Sequence, residues 1–185
     1  LQTSLYGASK LSCEAIISAY SNIFNLESYA FRFVSVLGHR YTHGHVFDFV
    51  KKLKKNPTRL EILGNGMAEK SYLNVKDCVS ALTLVCINKR PSRNLDHKFE
   101  VYNLGLDETI LVKNSAKLIS NCLNVKPKFV FGKDIRGWIG DNKFVHLSTK
   151  KVRNLGWKPL FDIETSIIET VNWLNKHPEI LNYYD

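Results

Sequence analysis

Helical and strand-like segments alternate along this chain, and a helix handing directly to a short β-branched strand marks a parallel β/α unit. Ser4 can cap a helix over about Leu5 to Phe24, in which Ala8, Leu11, Ala15 and Ala19 form one stripe. Cys13, Ile16, Ile17, Tyr20 and Phe24 make the other side apolar as well. Such a helix is expected to be covered by a sheet on one side and by a helix or subunit on the other. Ser28 to Ser35 reads as a strand, and a His- and Gly-containing loop from His39 to His45 leads to a helix over Val46 to Lys55, ended by Asn56-Pro57. Short strands at Leu60 to Leu63 and Ser71 to Val75 flank the Gly64-Asn65-Gly66 turn. Asp77 then opens a helix with Val79, Leu82, Val85 and Cys86 on one face. A strand at Phe99 to Leu104, a helix at Leu111 to Leu123 and a strand at Lys126 to Phe131 precede an irregular segment from Gly132 to Gly140. Helices near Thr149 to Leu155 and Ile163 to Lys176 close the pattern. The strands are too short and scattered for a complete doubly wound sheet.

Composition narrows the class of partner. With 185 residues, 44% hydrophobic and 23% charged, the chain can bury a core of its own. No apolar run approaches the roughly 20 residues that span a bilayer, and no export signal opens the chain, so a cytoplasmic protein without a membrane partner is expected. The 26 Lys and Arg against 17 Asp and Glu give a net charge of +9, which favours anionic ligands. Cys13, Cys78, Cys86 and Cys122 are widely spread and read as reduced core residues. Leu1 stands where Met would begin a gene product, and a helix starts within a few residues, so the chain reads as cut from a longer one.

Tyr6 and Lys10 lie four residues apart on the first helix and so share a face. A phenol beside an ammonium can supply an oxygen base at neutral pH. Spacing alone leaves this open, because most such pairs on a helix surface do nothing.

The surrounding residues are more specific. Ser4-Leu-Tyr6-Gly-Ala-Ser-Lys10-Leu11 resembles the active-site helix of the extended short-chain dehydrogenase/reductases, the NAD-dependent epimerase/dehydratase family. Arg32-Phe-Val-Ser-Val-Leu-Gly38, Gly64-Asn-Gly66, Lys70-Ser-Tyr-Leu-Asn-Val-Lys-Asp77, Val101-Tyr-Asn-Leu-Gly105, Arg136 with Gly140-Asp141, and Leu155-Gly-Trp-Lys-Pro159 continue the resemblance in order.

The resemblance implies a fold: the C-terminal half of a Rossmann-type α/β enzyme with its small substrate-binding α/β subdomain. Residues 1–40 and 71–105 would be the remainder of the dinucleotide-binding sheet and helices, and 41–70 and 106–185 the substrate-binding part. It also implies a nucleotide-sugar 4-epimerase of the UDP-glucose type, serving polysaccharide biosynthesis, with NAD as cofactor and a nucleotide-diphosphate sugar as substrate. Tyr6 would take the sugar hydroxyl proton and Lys10 would hold the nicotinamide ribose, while Phe33, Val34 and Ser35 line the cofactor pocket. Ser35, His43, Lys70, Arg136 and Asp141 would contact substrate. Ser35 stands where many members have Asn, and Lys70 where many have Arg, which bears on sugar specificity. A homodimer through the first helix is also implied, and no metal.

Other readings stay in view: a 4,6-dehydratase or reductase of the same family, or a non-catalytic anion-binding or regulatory module. His39, His43 and His45 lack accompanying metal ligands and read as a polar loop near the diphosphate. Lys51, Lys52, Lys54 and Lys55 read as a solvated helix face and not a nucleic-acid surface, since no aromatic platform is interleaved with them. Trp138 sits in the irregular loop, and Trp157 and Trp173 read as core. The glycine-rich turn that cradles a dinucleotide pyrophosphate is missing from the sequence. The 185-residue chain is therefore expected to be inactive alone and to bind NAD weakly. Calorimetric titration should show no saturation at micromolar NAD; tight binding would overturn the expectation.

Overall fold

The computed structural model describes residues 4–87, 98–135, 137 and 144–182. Its elements run α1 (Leu5–Ile23), β1 (Ser28–Phe33), β2 (Ser35–Leu37), α2 (His45–Lys55), β3 (Arg59–Ile62), β4 (Glu69–Lys70), β5 (Tyr72–Asn74), α3 (Val75–Ile87), β6 (Phe99–Leu104), β7 (Ile110–Leu111), α4 (Val112–Cys122), β8 (Lys128–Phe131), α5 (Lys150–Arg153) and α6 (Ile163–Lys176). A 3-10 turn covers Pro178–Asn182. The strands pair as β1 with β6, β2 with β5 and β3 with β8, all parallel, and β4 with β7, antiparallel. The short β4–β7 pair is not foreshadowed by hydrophobic alternation, because two-residue strands are too brief to show a period.

The centre of the fold is the packing of α2, α4 and α6 on one another. In α2 the buried residues are Val46, Phe47, Phe49, Val50 and Leu53, a helical stripe whose opposite side carries the lysines. Leu37, Leu60, Leu73, Ile119, Ile167, Val171 and Leu174 complete this core with essentially no exposure. Gly38, at φ 145°, ends β2 where a Cβ would come within 2.5 Å of the Val75 side chain, so the strand can pass the start of α3 only without one.

Polar groups fasten the C-terminal segment to this core. The buried Asp77 carboxylate accepts from the backbone N–H groups of Leu160 and Phe161 at 2.9 and 3.0 Å. The Trp157 indole donates to the Asp77 carbonyl at 3.2 Å and to Ser80 Oγ at 3.1 Å. Asn74, fully buried, donates to Glu169 at 3.1 Å and accepts from the Lys76 N–H at 3.0 Å. Asp162 caps α6 by accepting from the Thr165 N–H at 2.7 Å.

Helix α1 departs from the sequence expectation. The side it turns towards β1 and β6 carries Gly7, Glu14, Ser18 and Ser21, of which only Ser21 is fully buried. Both apolar sides face outward: Leu5, Leu11, Ile16, Ile17, Tyr20, Ile23 and Phe24 are all exposed, and nothing among the described residues covers them. Hydrophobic periodicity reports which faces are apolar, not which of them meets a sheet within the same chain.

Burial also corrects the cysteines. All four are free thiols, but Cys13 and Cys86 are exposed, Cys122 is half-buried and only Cys78 belongs to the core. On α3 the buried face is Cys78, Ala81 and Val85, while Val79 points outward. Trp157 is core; Trp173 is half-buried and stacks on His177 with centroids 4.5 Å apart. The expected helix over Thr149 to Leu155 shortens to the single turn Lys150–Arg153.

Removing the Asp77 carboxylate leaves two part-buried N–H groups without their acceptor. Asp77→Ala should therefore lower the urea unfolding free energy by about 3 kcal/mol, and Asp77→Asn, which keeps one acceptor, by about half as much. An unchanged midpoint for Asp77→Ala would show that the clamp carries nothing.

Candidate active site

Helix α1 starts where Ser4, in extended conformation, accepts the Gly7 N–H on its side chain at 3.0 Å. One turn in, Tyr6 and Lys10 stand together: the Lys10 ammonium lies 5.4 Å from the Tyr6 ring centroid, within cation–π range. Tyr6 is 72% exposed. The pair forms one environment at an open surface.

A bidentate ion pair docks the middle of this helix on β1. Arg32 donates through Nε to one Glu14 oxygen at 2.7 Å and through a terminal nitrogen to the other at 2.5 Å. Glu14 lies one turn beyond Lys10. Hydrogen bonding to Arg32, reinforced by its charge and opposed by partial burial, holds the Glu14 carboxyl below the usual carboxylate range.

Beyond β1 the chain crosses from Phe33, which is exposed, to Val34, which is buried against Gly105, and then to Ser35. Ser35 is opposite Tyr72 in the β2–β5 register and borders a cavity of about 340 Å³. Tyr41, Gly44, His45, Asp48, Lys52 and Lys70 also contribute to its lining. Gly44, at φ 89°, is packed so closely on the Tyr41 hydroxyl that a Cβ would collide with it, which lets α2 begin at the cavity edge.

A hydrogen-bonded chain runs from the cavity wall into the core. The Tyr72 hydroxyl lies 2.6 Å from His45 Nδ1, and His45 Nε2 lies 2.8 Å from Ser115 Oγ. His45 also packs on Phe49, with ring centroids 5.1 Å apart. Burial holds the Tyr41 phenol well above its ordinary titration range, and the Asp48 charge adds to the effect.

The structure thus brings Ser35 and Lys70 to one cavity and sets Tyr6 and Lys10 together on α1, outside that lining. His43 is exposed and stacks on Tyr41 at 5.6 Å; the histidine of that loop that lines the cavity is His45. Arg136, Trp138 and Asp141 lie outside the described residues. Sequence reading missed His45, Tyr41, Asp48 and Tyr72 as cavity residues. The alternation of Lys70 and Tyr72 was the available signal for the last of these, since residues two apart on an extended chain share a side. Among the described residues no three His, Cys, Asp or Glu side chains gather as a metal site would require, and no helix is long and apolar enough to cross a membrane.

Parallel β/α pairing, a Tyr/Lys pair on a helix and a polar cavity beyond the next strand together describe part of a Rossmann-type α/β protein. A family model described as GDP-mannose 4,6 dehydratase matches residues 2–170, and the chain belongs to that family, within the NAD-dependent epimerase/dehydratase group of short-chain dehydrogenase/reductases. A UDP-glucose 4-epimerase of Lacticaseibacillus casei is 30% identical over 198 aligned positions, covering 96% of this chain and 57% of that protein. The fold superposes on a crystal structure of UDP-galactose 4-epimerase with a TM-score of 0.83 and 29% identity, over 96% of this chain and 55% of that one. A dTDP-glucose 4,6-dehydratase from Bacillus anthracis, solved in complex with NAD, shares the fold with a TM-score of 0.75 and 23% identity, over 96% of this chain and 54% of that one. The chain spans about half the length of the relatives it matches.

The depressed Glu14 carboxyl gives a direction to the pH response of α1. A carboxylate whose folded titration lies below its unfolded value of about 4.3 stabilises above that pH and loses its contribution as pH falls through the folded value. Amide exchange in α1 should therefore accelerate below about pH 4 more than exchange in α4 and α6. Arg32→Gln should remove that difference, and a response identical in both proteins would show that the ion pair does not hold the helix.

Proposed function

We propose that this chain is the C-terminal half of an NAD-dependent nucleotide-sugar 4-epimerase of the UDP-glucose type. The carrying observation is the Tyr6–Lys10 pair, which stands 5.4 Å apart on an open face of α1 in a chain of this family. The L. casei relative and the UDP-galactose 4-epimerase structure support epimerisation over the alternatives.

The residues present suit one end of NAD. An accessible phenol and ammonium, with Phe33 exposed at the end of β1, offer a proton acceptor, a cation and an apolar surface to a nicotinamide riboside. No glycine turn in the sequence cradles the pyrophosphate, which fits a chain about half as long as its relatives. When bound, NAD supplies the hydride acceptor. As phenolate, Tyr6 Oη takes the proton of the sugar 4-hydroxyl and becomes a neutral phenol, while the Lys10 ammonium favours the phenolate before transfer and holds the ribose. Phe33 and Val34 back the cofactor, and Ser35 hydrogen-bonds the sugar at the cavity edge. Lys70 meets the diphosphate as a point charge, Arg136 the uridine ribose or diphosphate, and His43 and Asp141 are further substrate contacts that the resemblance implies. The outward apolar arc of α1, from Leu5 through Ile16 and Tyr20 to Phe24, is the face of a homodimer.

A second reading, 4,6-dehydration, is favoured by the description of the matching family model. Product analysis separates the two, since an epimerase returns the sugar inverted at one carbon and a dehydratase releases water and a 4-keto-6-deoxy sugar. In the complete protein, Tyr6→Phe should lower turnover by about 10²- to 10⁴-fold at unchanged substrate affinity. Retained turnover would exclude Tyr6 as the base, and loss of affinity alone would point to a non-catalytic binding module.

A further inference from the structure

A second cavity, about 240 Å³, opens where α2 ends and β3 begins, lined by Lys52, Lys55, Asn56, Arg59 and Glu61. Lysine stems make much of its surface apolar, and the polar groups it presents, on exposed side chains, are mostly hydrogen-bond donors. Arg59 uses Nε and one terminal nitrogen on a single Glu61 oxygen, at 3.1 and 2.8 Å, and the remaining N–H groups of its fork are left over. Asn56 Oδ1 accepts from the Thr58 N–H and hydroxyl at 3.1 and 2.8 Å, which orients the amide and leaves its NH2 as a donor. Lys52 donates to the Glu61 backbone carbonyl at 3.1 Å. Lys55 makes no ion pair or hydrogen bond among the described residues.

The one carboxylate of the cavity, Glu61, is answered by Arg59, so two ammonium groups remain in excess. Lys128 stands opposite Arg59 in the β3–β8 register and is exposed, extending the positive field along the strand pair. Lys52 borders the larger cavity as well, so the two sites are neighbours. Donors in excess and a net positive wall select an oxyanion over a neutral or cationic ligand.

We propose that this cavity is a second anion site, distinct from the Ser35–Lys70 cavity, that takes a phosphate or diphosphate group on Lys55, Arg59 and Asn56. It stands on the lining itself and does not require the epimerase reading. Inorganic pyrophosphate titrated calorimetrically into the complete protein, at constant ionic strength to hold screening fixed, should saturate a site outside the larger cavity, in addition to any it occupies on Lys70. Lys55→Gln and Arg59→Gln should each weaken that binding about tenfold, the effect of losing one charge-assisted contact. Lys70→Gln, in the larger cavity, should leave it unchanged. All three positions are on side chains with exposed or half-exposed surroundings, and circular dichroism verifies that each variant is folded. Parallel titrations with UDP identify the source: sensitivity to Arg59→Gln shared by UDP and pyrophosphate assigns a nucleotide-borne phosphate, and sensitivity of pyrophosphate alone assigns the free anion. Binding lost in Lys70→Gln but kept in Arg59→Gln would place the anion in the larger cavity and overturn the proposal, as would uptake that never saturates or that ignores every variant.

Discussion

The buried carboxylate of Asp77 is the interaction on which the rest of this structure depends. It sits at the start of α3, directly after β5, and takes the N–H groups of two consecutive residues, Leu160 and Phe161, from a segment 83 and 84 positions away. A buried carboxyl group that accepts from two consecutive backbone N–H groups has a strict geometric demand, and that demand fixes where the chain must pass before α6 begins. The indole of Trp157, reaching back to the Asp77 carbonyl, sets the same segment from its other end. Asn74, three residues before Asp77, then reaches α6 itself through Glu169. One short stretch of sequence thus joins the β2–β5 pair, α3 and α6 into a frame. The larger cavity is built against that frame, since Tyr72 in β5 forms part of its wall.

Much of this frame was legible in the sequence because it is written in local chemistry. Helix α2 was readable over Val46 to Lys55 with Asn56-Pro57 at its end, and α6 over Ile163 to Lys176 with Pro178 after it; the buried stripe of α2 and the Asp162 cap of α6 agree with those bounds. The alternation of helix and strand gave the α/β class, and ordered landmarks from Ser4 to Pro159 gave the family. The cavity was only partly readable. Lys70 and Ser35 came from the resemblance, but His45 was passed over for His43, because choosing between two loop histidines depends on where a helix starts. Gly44 decides that, by a positive φ and a close approach to Tyr41 that no periodicity announces. The β4–β7 pair was hidden for a related reason: it is made by register between distant residues, Glu69 with Leu111 and Lys70 with Ile110.

Helix α1 shows the opposite failure, in which a strong sequence signal pointed at surfaces that this chain does not cover. Its inner side carries Gly7, Glu14, Ser18 and Ser21, small or polar residues that let the helix lie close on β1 and β6, with Arg32 and Glu14 as the specific link. An exposed ion pair ordinarily contributes little, about 1 kcal/mol or less, but its bidentate geometry fixes orientation more than energy. The apolar residues that would ordinarily drive docking point away from the sheet. A helix held this way is well aligned and weakly attached, and its exposed apolar arcs amount to a request for further protein.

This division has a consequence for how activity would be organised. The residues of the larger cavity hang on the α2–α4–α6 core and the Asp77 clamp, while Tyr6 and Lys10 hang on a helix tied to the remainder by one ion pair and few buried contacts. Proton transfer tolerates little misplacement, because a base must reach hydrogen-bonding distance of the hydroxyl it deprotonates. With the roles proposed above, a cavity held by a packed core beside a base on a thinly supported helix would make substrate affinity the more robust property and turnover the more fragile one. In the proposed enzyme, a surface that covered the outer arcs of α1 would act on turnover by fixing the position of the Tyr6 phenol. Under the proposed reading, the apolar residues Ile16, Tyr20 and Phe24 would bear on turnover only through the placement of α1.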